Sequence, residues 1–242
     1  MLILRELNAQ MRPRLILFLL CASVLGLMIV LPWRTSLVRL GLIALWVLVG
    51  ISLVSLVWRR KGWRILLLLV LALSGAFVLL PGRNRTDTTR LRQRFVHRLA
   101  TYDGVRYVYG GENHRGIDCS GLVRAAMVRA LCDEGISSAD PALLRAAFTL
   151  WWRDTNALQL GKGGKGLTLP IGDGVPMPMR AAPNLRPGDL AVTTTGSHVL
   201  ACMDDHRWIE ADPDVARVHI VDLNTSPIAG QEVLLVTWCW LR

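Results

Sequence analysis

Three uncharged apolar runs, residues 15–31, 40–58 and 65–82, dominate the first third of the chain. Each approaches the roughly 20 residues that an α-helix needs to cross about 30 Å of hydrocarbon. Trp33, Trp58 and Trp63 stand at the ends of these runs, where indole rings favour a membrane–water interface. No polar face interrupts them, so three buried helices of a soluble core are a poor account of the pattern. The first run follows Arg12 and Arg14 in the manner of a signal peptide, but it continues too far and two further runs follow. Cys21 has Phe18, Leu19 and Leu20 before it rather than the small residues of a lipoprotein cleavage site, so it is expected to be a small apolar residue within the membrane. The pattern predicts a membrane domain, residues 1–82, with three transmembrane α-helices.

From residue 86 the pattern turns amphipathic, and a second domain is expected over residues 83–242. Leu91, Phe95 and Leu99 recur at helical spacing among arginines, which predicts a helix with a solvated basic face, ended by Asp103 and Gly104. Leu122, Val123, Ala126, Met127, Ala130 and Leu131 mark one face of the next helix and place Cys119 and Ser120 in its first turn. Asp140 followed by Pro141 is a helix start, leading into Leu143, Leu144, Ala147, Phe148, Leu150 and Trp151. Residues 156–184 are rich in Gly and Pro without a regular pattern and are expected to form a lid or an insertion. Strands are predicted at 190–194, 198–203, 208–211, 215–221 and 232–241. Helices first and strands after give an α+β class, N-terminal helices packed on a small antiparallel β-sheet.

Charge separates the same two regions. Residues 1–82 hold 9 basic and 1 acidic residue, net +8, and residues 83–242 hold 19 and 17, net +2. The excess is therefore a membrane-flank property, and no nucleic-acid motif accompanies it. The basic cluster at residues 59–64 lies between the second and third runs and should stay cytoplasmic, which puts the amino terminus inside and residues 83–242 outside. Arg5, Arg12 and Arg14 agree with this orientation. Arg83, Arg85, Arg90, Arg92, Arg94 and Arg98 oppose it, although large domains cross membranes largely regardless of charge.

The candidate chemistry centres on Cys119. A helix start favours a thiolate, because unpaired backbone N–H groups and the helix dipole stabilise negative charge there. His198 and Glu210 fall on neighbouring predicted strands that can set them side by side. Such a set lets the imidazole take the thiol proton while the carboxylate fixes its tautomer and stabilises the imidazolium. His97, His114 and His206 read as surface or loop residues, with His114 close enough in sequence to Cys119 to line the cleft as an alternative, and His219, between Val218 and Ile220, reads as a structural strand residue. Cys132, Cys202 and Cys239 read as packing residues, and their spacing suggests no disulfide framework. CxxC pairs and HExxH are absent, which argues against a structural zinc site. Residues 161–166 fit GxGxxG in letters alone, with no strand before them and no helix after. No metal and no cofactor is expected.

Three stretches, YVYGGENHRGIDCSGLV from Tyr107, LRPGDL from Leu185 and SHVLACMDDHRWIEA from Ser197, resemble in this order the NlpC-type family of bacterial cell-wall cysteine peptidases. The resemblance covers roughly residues 88–242, and DCSG after YGG is its strongest part. It implies a papain-like fold, with Cys119 as nucleophile, His198 as base and Glu210 as the variable polar third member. The family often has His at the third position and Gly two residues after the base, where this chain has Glu210 and Leu200. It also implies that Tyr107, Asp118 and Ser197 form a pocket for the free amino terminus of a wall stem peptide. The expectation is a membrane-anchored cysteine endopeptidase in the bacterial inner membrane, with its catalytic domain on the extracytoplasmic side. Its partners would be peptidoglycan peptides and the lipid bilayer, with no nucleic acid. Two alternatives stay open: thiol acyl transfer on lipid or protein acyl groups, and a catalytically weak wall-binding module.

Overall fold

The computed structural model describes residues 2–58, 60–82, 86–179, 185–225 and 227–242. Arg59, Arg83 and Arg85, which entered the charge argument, lie outside the described residues. The chain divides into two compact units, Met1–Leu80 and Pro81–Arg242.

The first unit is helical: α1 (Leu2–Val30), α2 (Ser36–Val57) and α3 (Lys61–Leu79). Thr35 starts α2 by accepting the Val38 N–H on its hydroxyl, which satisfies one of the free donors of the first turn. The windows Arg12–Val30, Ser36–Val57 and Lys61–Leu79 are each long and apolar enough to cross a membrane, and at most 11% of each is buried inside the protein. Leu27, Trp46 and Leu73 accordingly stand exposed. α2 and α3 begin a few residues before the apolar runs, because Arg39 and Lys61 occupy their first turns.

The second unit is α+β. α4 (Thr88–Ala100), α5 (Cys119–Ser137) and α6 (Pro141–Trp152) precede most of the strands, and a short α7 (Ala157–Gly161) follows. A two-residue hairpin, β1 (Glu112–Asn113) and β2 (Gly116–Ile117), leads into α5. The main sheet is antiparallel and seven-stranded, in the order β3-β9-β5-β6-β7-β8 with β4 also on β9. Its strands are β3 (Thr168–Pro170), β4 (Met177–Pro178), β5 (Leu190–Thr193), β6 (Val199–Cys202), β7 (Arg207–Asp212), β8 (Arg217–Asp222) and β9 (Glu232–Trp238).

The sheet alternation decides what each face meets. Val199, Ala201, Ile209 and Ala211 enter one core with Leu122, Val123, Ala126 and Met127 of α5 and with Leu91, Phe95 and Leu99 of α4. Leu200, Cys202, Trp208 and Leu235 form a second cluster on the opposite face. Each fully buried Leu, Val or Phe in these clusters contributes about 1.5–3 kcal/mol.

Two expectations need correction. The basic face of α4 is not simply solvated: Arg94 Nε donates to the buried Glu134 at 2.7 Å, Arg98 pairs with Asp133, and Arg92 Nη1 reaches Asp189 at 2.9 Å. These arginines fasten α4 to α5 and to the start of β5. Residues 156–184 are also more regular than their composition suggests, since α7, β3 and β4 fall among them. Leu160 and Leu167 are buried and β3 pairs with β9, so the segment extends the sheet on the side away from β6 and β7.

Candidate active site

The loop before α5 sets out the thiol. Asp118 is the N-cap of α5, in extended conformation, and its Oδ1 accepts the Gly121 N–H at 2.6 Å and the Ser120 hydroxyl at 3.0 Å. Its Oδ2 accepts the Gly110 N–H at 2.8 Å. One carboxylate thereby joins the helix start to the glycine loop. Gly110 has φ 72°, a left-handed conformation that favours glycine. Gly121 faces the Gly111 carbonyl so closely that a β-carbon has no room there. The loop is drawn hard onto the first turn of α5, and Cys119 emerges from that turn 8% exposed.

A buried cation supports this junction. Arg124, one turn into α5, pairs with Glu112 of β1 and, at 2.9 Å, with Asp154, while its Nε donates to the Ser120 carbonyl at 3.3 Å. Both Arg124 and Glu112 are nearly buried, at 7% and 8% side-chain exposure.

The imidazole arrives from the sheet. His198 lies just ahead of β6, its backbone held by Thr193, whose hydroxyl accepts the His198 N–H at 3.0 Å. The His198 Nε2 to Glu210 Oε2 distance is 2.6 Å. A carboxylate only accepts, so Nε2 carries the proton and Nδ1 is left to meet the thiol. Burial alone lowers the His198 pKa, but hydrogen bonds to Cys119 and Glu210 and their negative charge outweigh it and raise the value to about 10. The imidazolium form is thus favoured at this position.

This shift has a sign that stability measurements can read. A histidine whose pKa rises from 6.5 to about 10 on folding contributes stability in full below about pH 6.5 and loses it as pH rises through about 10. The expected result is that unfolding midpoints in urea fall between pH 7 and 10, and fall less steeply in His198→Gln. Equal slopes in the two proteins would contradict the shift.

Tyr107, Asp118 and Ser197 are gathered at the same place. The Tyr107 hydroxyl is pushed up to about 12, first by burial and then by the negative charge of Cys119, Asp118, Tyr109 and Asp212. Ser197 is exposed beside His198; its hydroxyl lies 2.8 Å from that of Thr195, and its carbonyl lies 4.0 Å from Cys119 Sγ. Asp118 makes three contacts within the chain, so helix capping is its observed role. The His114 ring is stacked on Tyr102 at 4.2 Å.

His219 was missed. It is the cross-strand partner of Glu210 in the β7–β8 register. Its Nε2 lies 3.4 Å from Glu210 Oε1 and 3.6 Å from Asp212 Oδ2. The signal was there in a weak form, since a histidine alternating with Val218 in a strand beside the Glu210 strand faces one side of the sheet; what was lacking was the register. Glu210, Asp212 and His219 place their ligand atoms within 4.8 Å of one another, the convergence a metal ion would need. Glu210 is already engaged by His198. A cavity of about 740 Å³ opens beside these residues, lined also by Ser197, Asp214 and Asp222.

Residues 104–140 match the family model described as the NlpC/P60 family. That segment contains the glycine loop, Cys119 and all of α5, and the family it matches is the one that the DCSG motif resembles. A comparison with curated proteins finds no match. Among solved structures, NlpC2 from Trichomonas vaginalis is 19% identical, with 64% of this chain and 49% of that chain covered and a TM-score of 0.40. NlpC1 from the same organism is 18% identical, over 65% and 47%, at 0.42. The peptidoglycan hydrolase RipB from Mycobacterium tuberculosis is 19% identical, over 67% and 75%, at 0.41. The chain spans about half the length of the two Trichomonas proteins.

Proposed function

We propose that the chain is a membrane-anchored cysteine endopeptidase that hydrolyses amide bonds in peptidoglycan stem peptides. The observation that carries this reading is Cys119 at the start of α5, 4.0 Å from the carbonyl of Ser197, with the adjacent His198 at 2.6 Å from the buried Glu210. The family match over residues 104–140 supports a cell-wall hydrolase. In this reading the Cys119 thiolate attacks the amide carbonyl and the thiol proton resides on His198. Collapse of the tetrahedral intermediate breaks the C–N bond, His198 gives its proton to the leaving amine, and an acyl-thioester remains on Cys119. Water, deprotonated by His198, then releases the acid and restores the thiol. Glu210 keeps the ring oriented and offsets its charge throughout.

Tyr107, Asp118 and Ser197 are proposed to line the substrate pocket, an assignment supported by the charge that Asp118 and Cys119 impose on Tyr107. The test is to incubate the full chain, in detergent, with purified wall peptides and with acylated lipids, and to identify products by mass. New amine and carboxylate ends in the wall peptides are expected. Products from the acylated lipids alone would replace the reading with thiol acyl transfer.

The proposal assigns residues 1–82 to the bilayer and residues 83–242 to the extracytoplasmic side of the inner membrane. It is supported by the exposure of the three apolar helices and by the basic residues Arg60, Lys61 and Arg64 at the start of α3. A reporter enzyme active only outside the cytoplasm is expected to be active when fused after Arg242 and silent when fused between α2 and α3. The reverse pattern would remove the wall from the enzyme's reach.

A further inference from the structure

We infer that His219 is a positioning residue that acts through Glu210, making the site a four-membered line of Cys119, His198, Glu210 and His219. The inference rests on the thiol site of the proposed function but not on its peptide substrate. Four observations carry it. Glu210 and His219 are direct cross-strand partners, so their side chains leave the same face of the sheet. Glu210 is 5% exposed and already commits Oε2 to His198 at 2.6 Å, while its other oxygen, Oε1, faces His219 Nε2 at 3.4 Å. That Nε2 atom is buried without a hydrogen-bond partner, a state that costs free energy unless a small motion completes a bond. Asp212 Oδ2, 3.6 Å from the same nitrogen, gives the ring a second acceptor to favour a proton on Nε2.

The consequence is mechanical as well as electrostatic. A glutamate has three side-chain torsions and, held by one oxygen alone, pivots; an N–H on the second oxygen removes that freedom. Glu210 is then kept at the angle that presses Oε2 on His198, and the imidazolium that accompanies the Cys119 thiolate is stabilised. The charged groups around His219 are Glu210 and Asp212 on β7, His198 beyond Glu210, and Asp214 and Asp222 on the cavity rim. A protonated His219 would also offset part of the Glu210 charge, an effect of opposite sign on the thiolate, so the experiment must separate the two.

The rate at which iodoacetamide alkylates Cys119, read by mass spectrometry on the peptide containing it, reports the thiolate without any assumption about substrate. In the full chain at neutral pH, His219→Phe keeps the ring's bulk and removes the donor; the expected result is a rate about tenfold lower, the scale of one hydrogen bond. His219→Gln, which carries an N–H donor to nearly the same point, should recover most of the rate. In a Glu210→Ala background, His219→Phe should change the rate by less than about twofold, because the residue acts through the carboxylate that is missing. Circular dichroism on each variant separates loss of fold from loss of reactivity. An unchanged or increased rate in His219→Phe overturns the positioning role, and so does an equal loss with and without Glu210. If Cys119 of the unaltered chain reacts no faster than Cys132, the site and the inference both fall; if Cys119 reacts fast but wall peptides stay intact, the substrate reading alone falls.

Discussion

Cys119→Ala in the full chain is expected to lose hydrolysis by about 10⁴-fold or more while the protein stays folded, and His198→Ala is expected to lose about as much. The losses are equal because the two residues act as one chemical unit. Without the thiol there is no atom to carry the acyl group, and without the imidazole there is no group to hold the thiol proton and return it to the leaving amine. The double variant should therefore be no worse than either single one. Cys119 sits in the first turn of α5, and removing its sulfur leaves the Asp118 cap and the glycine loop untouched. Glu210→Gln should be milder, since an amide still orients the ring but does not offset the imidazolium charge. The measurement is the initial rate on a wall peptide, with circular dichroism as the control. Activity retained in Cys119→Ala would end the nucleophile assignment.

Arg124→Leu should destabilise the protein by about 3–5 kcal/mol, because it removes the cation that pairs with the Glu112 carboxylate at a nearly buried position. Asp154, the other partner, is 53% exposed and regains water at little cost. The distinguishing prediction is the double variant Arg124→Leu with Glu112→Leu, which removes both charges and should recover most of the loss. Urea denaturation followed by tryptophan fluorescence measures both. The pair spans β1 and α5, so Arg124→Leu should also slacken the loop over Cys119 and lower kcat more than its effect on stability at pH 7 alone explains. A loss below about 1 kcal/mol would mean that Glu112 finds water or another partner.

Local signals were strong enough to place most of the thiol side of the site. The helix after Cys119 was legible because its apolar residues repeat at helical spacing, whereas Asp118 was read as a pocket residue from the family resemblance and shows its capping bonds only in the folded loop. The three apolar helices were legible for the same reason, as a period and a length. The arginines of α4 were misread because a charge pattern along one helix does not say what lies opposite; Glu134 and Asp133 of α5 do, and they come into play when the helices pack. Residues 156–184 concealed β3 and β4 because strands of three and two residues are too short to show an alternation.

By itself the sequence determined the elements: apolar helices ahead of an α+β unit, a cysteine at a helix start, and a histidine and a glutamate on successive strands. Those features depend on residues close together in the chain, where spacing alone sets geometry. Tertiary structure decided the distances between them. The 2.6 Å contact of His198 with Glu210 spans a turn, and the placement of Cys119 beside Ser197 joins residues 78 positions apart. The most telling case is His219, a plain strand residue in the sequence that becomes the neighbour of Glu210 through the pairing of β7 with β8. A shift of that register by one residue would turn His219 to the other face of the sheet. Register is set by the packing of Ile209, Ala211 and Val218 into the core as a whole, and no single stretch of the chain carries that information.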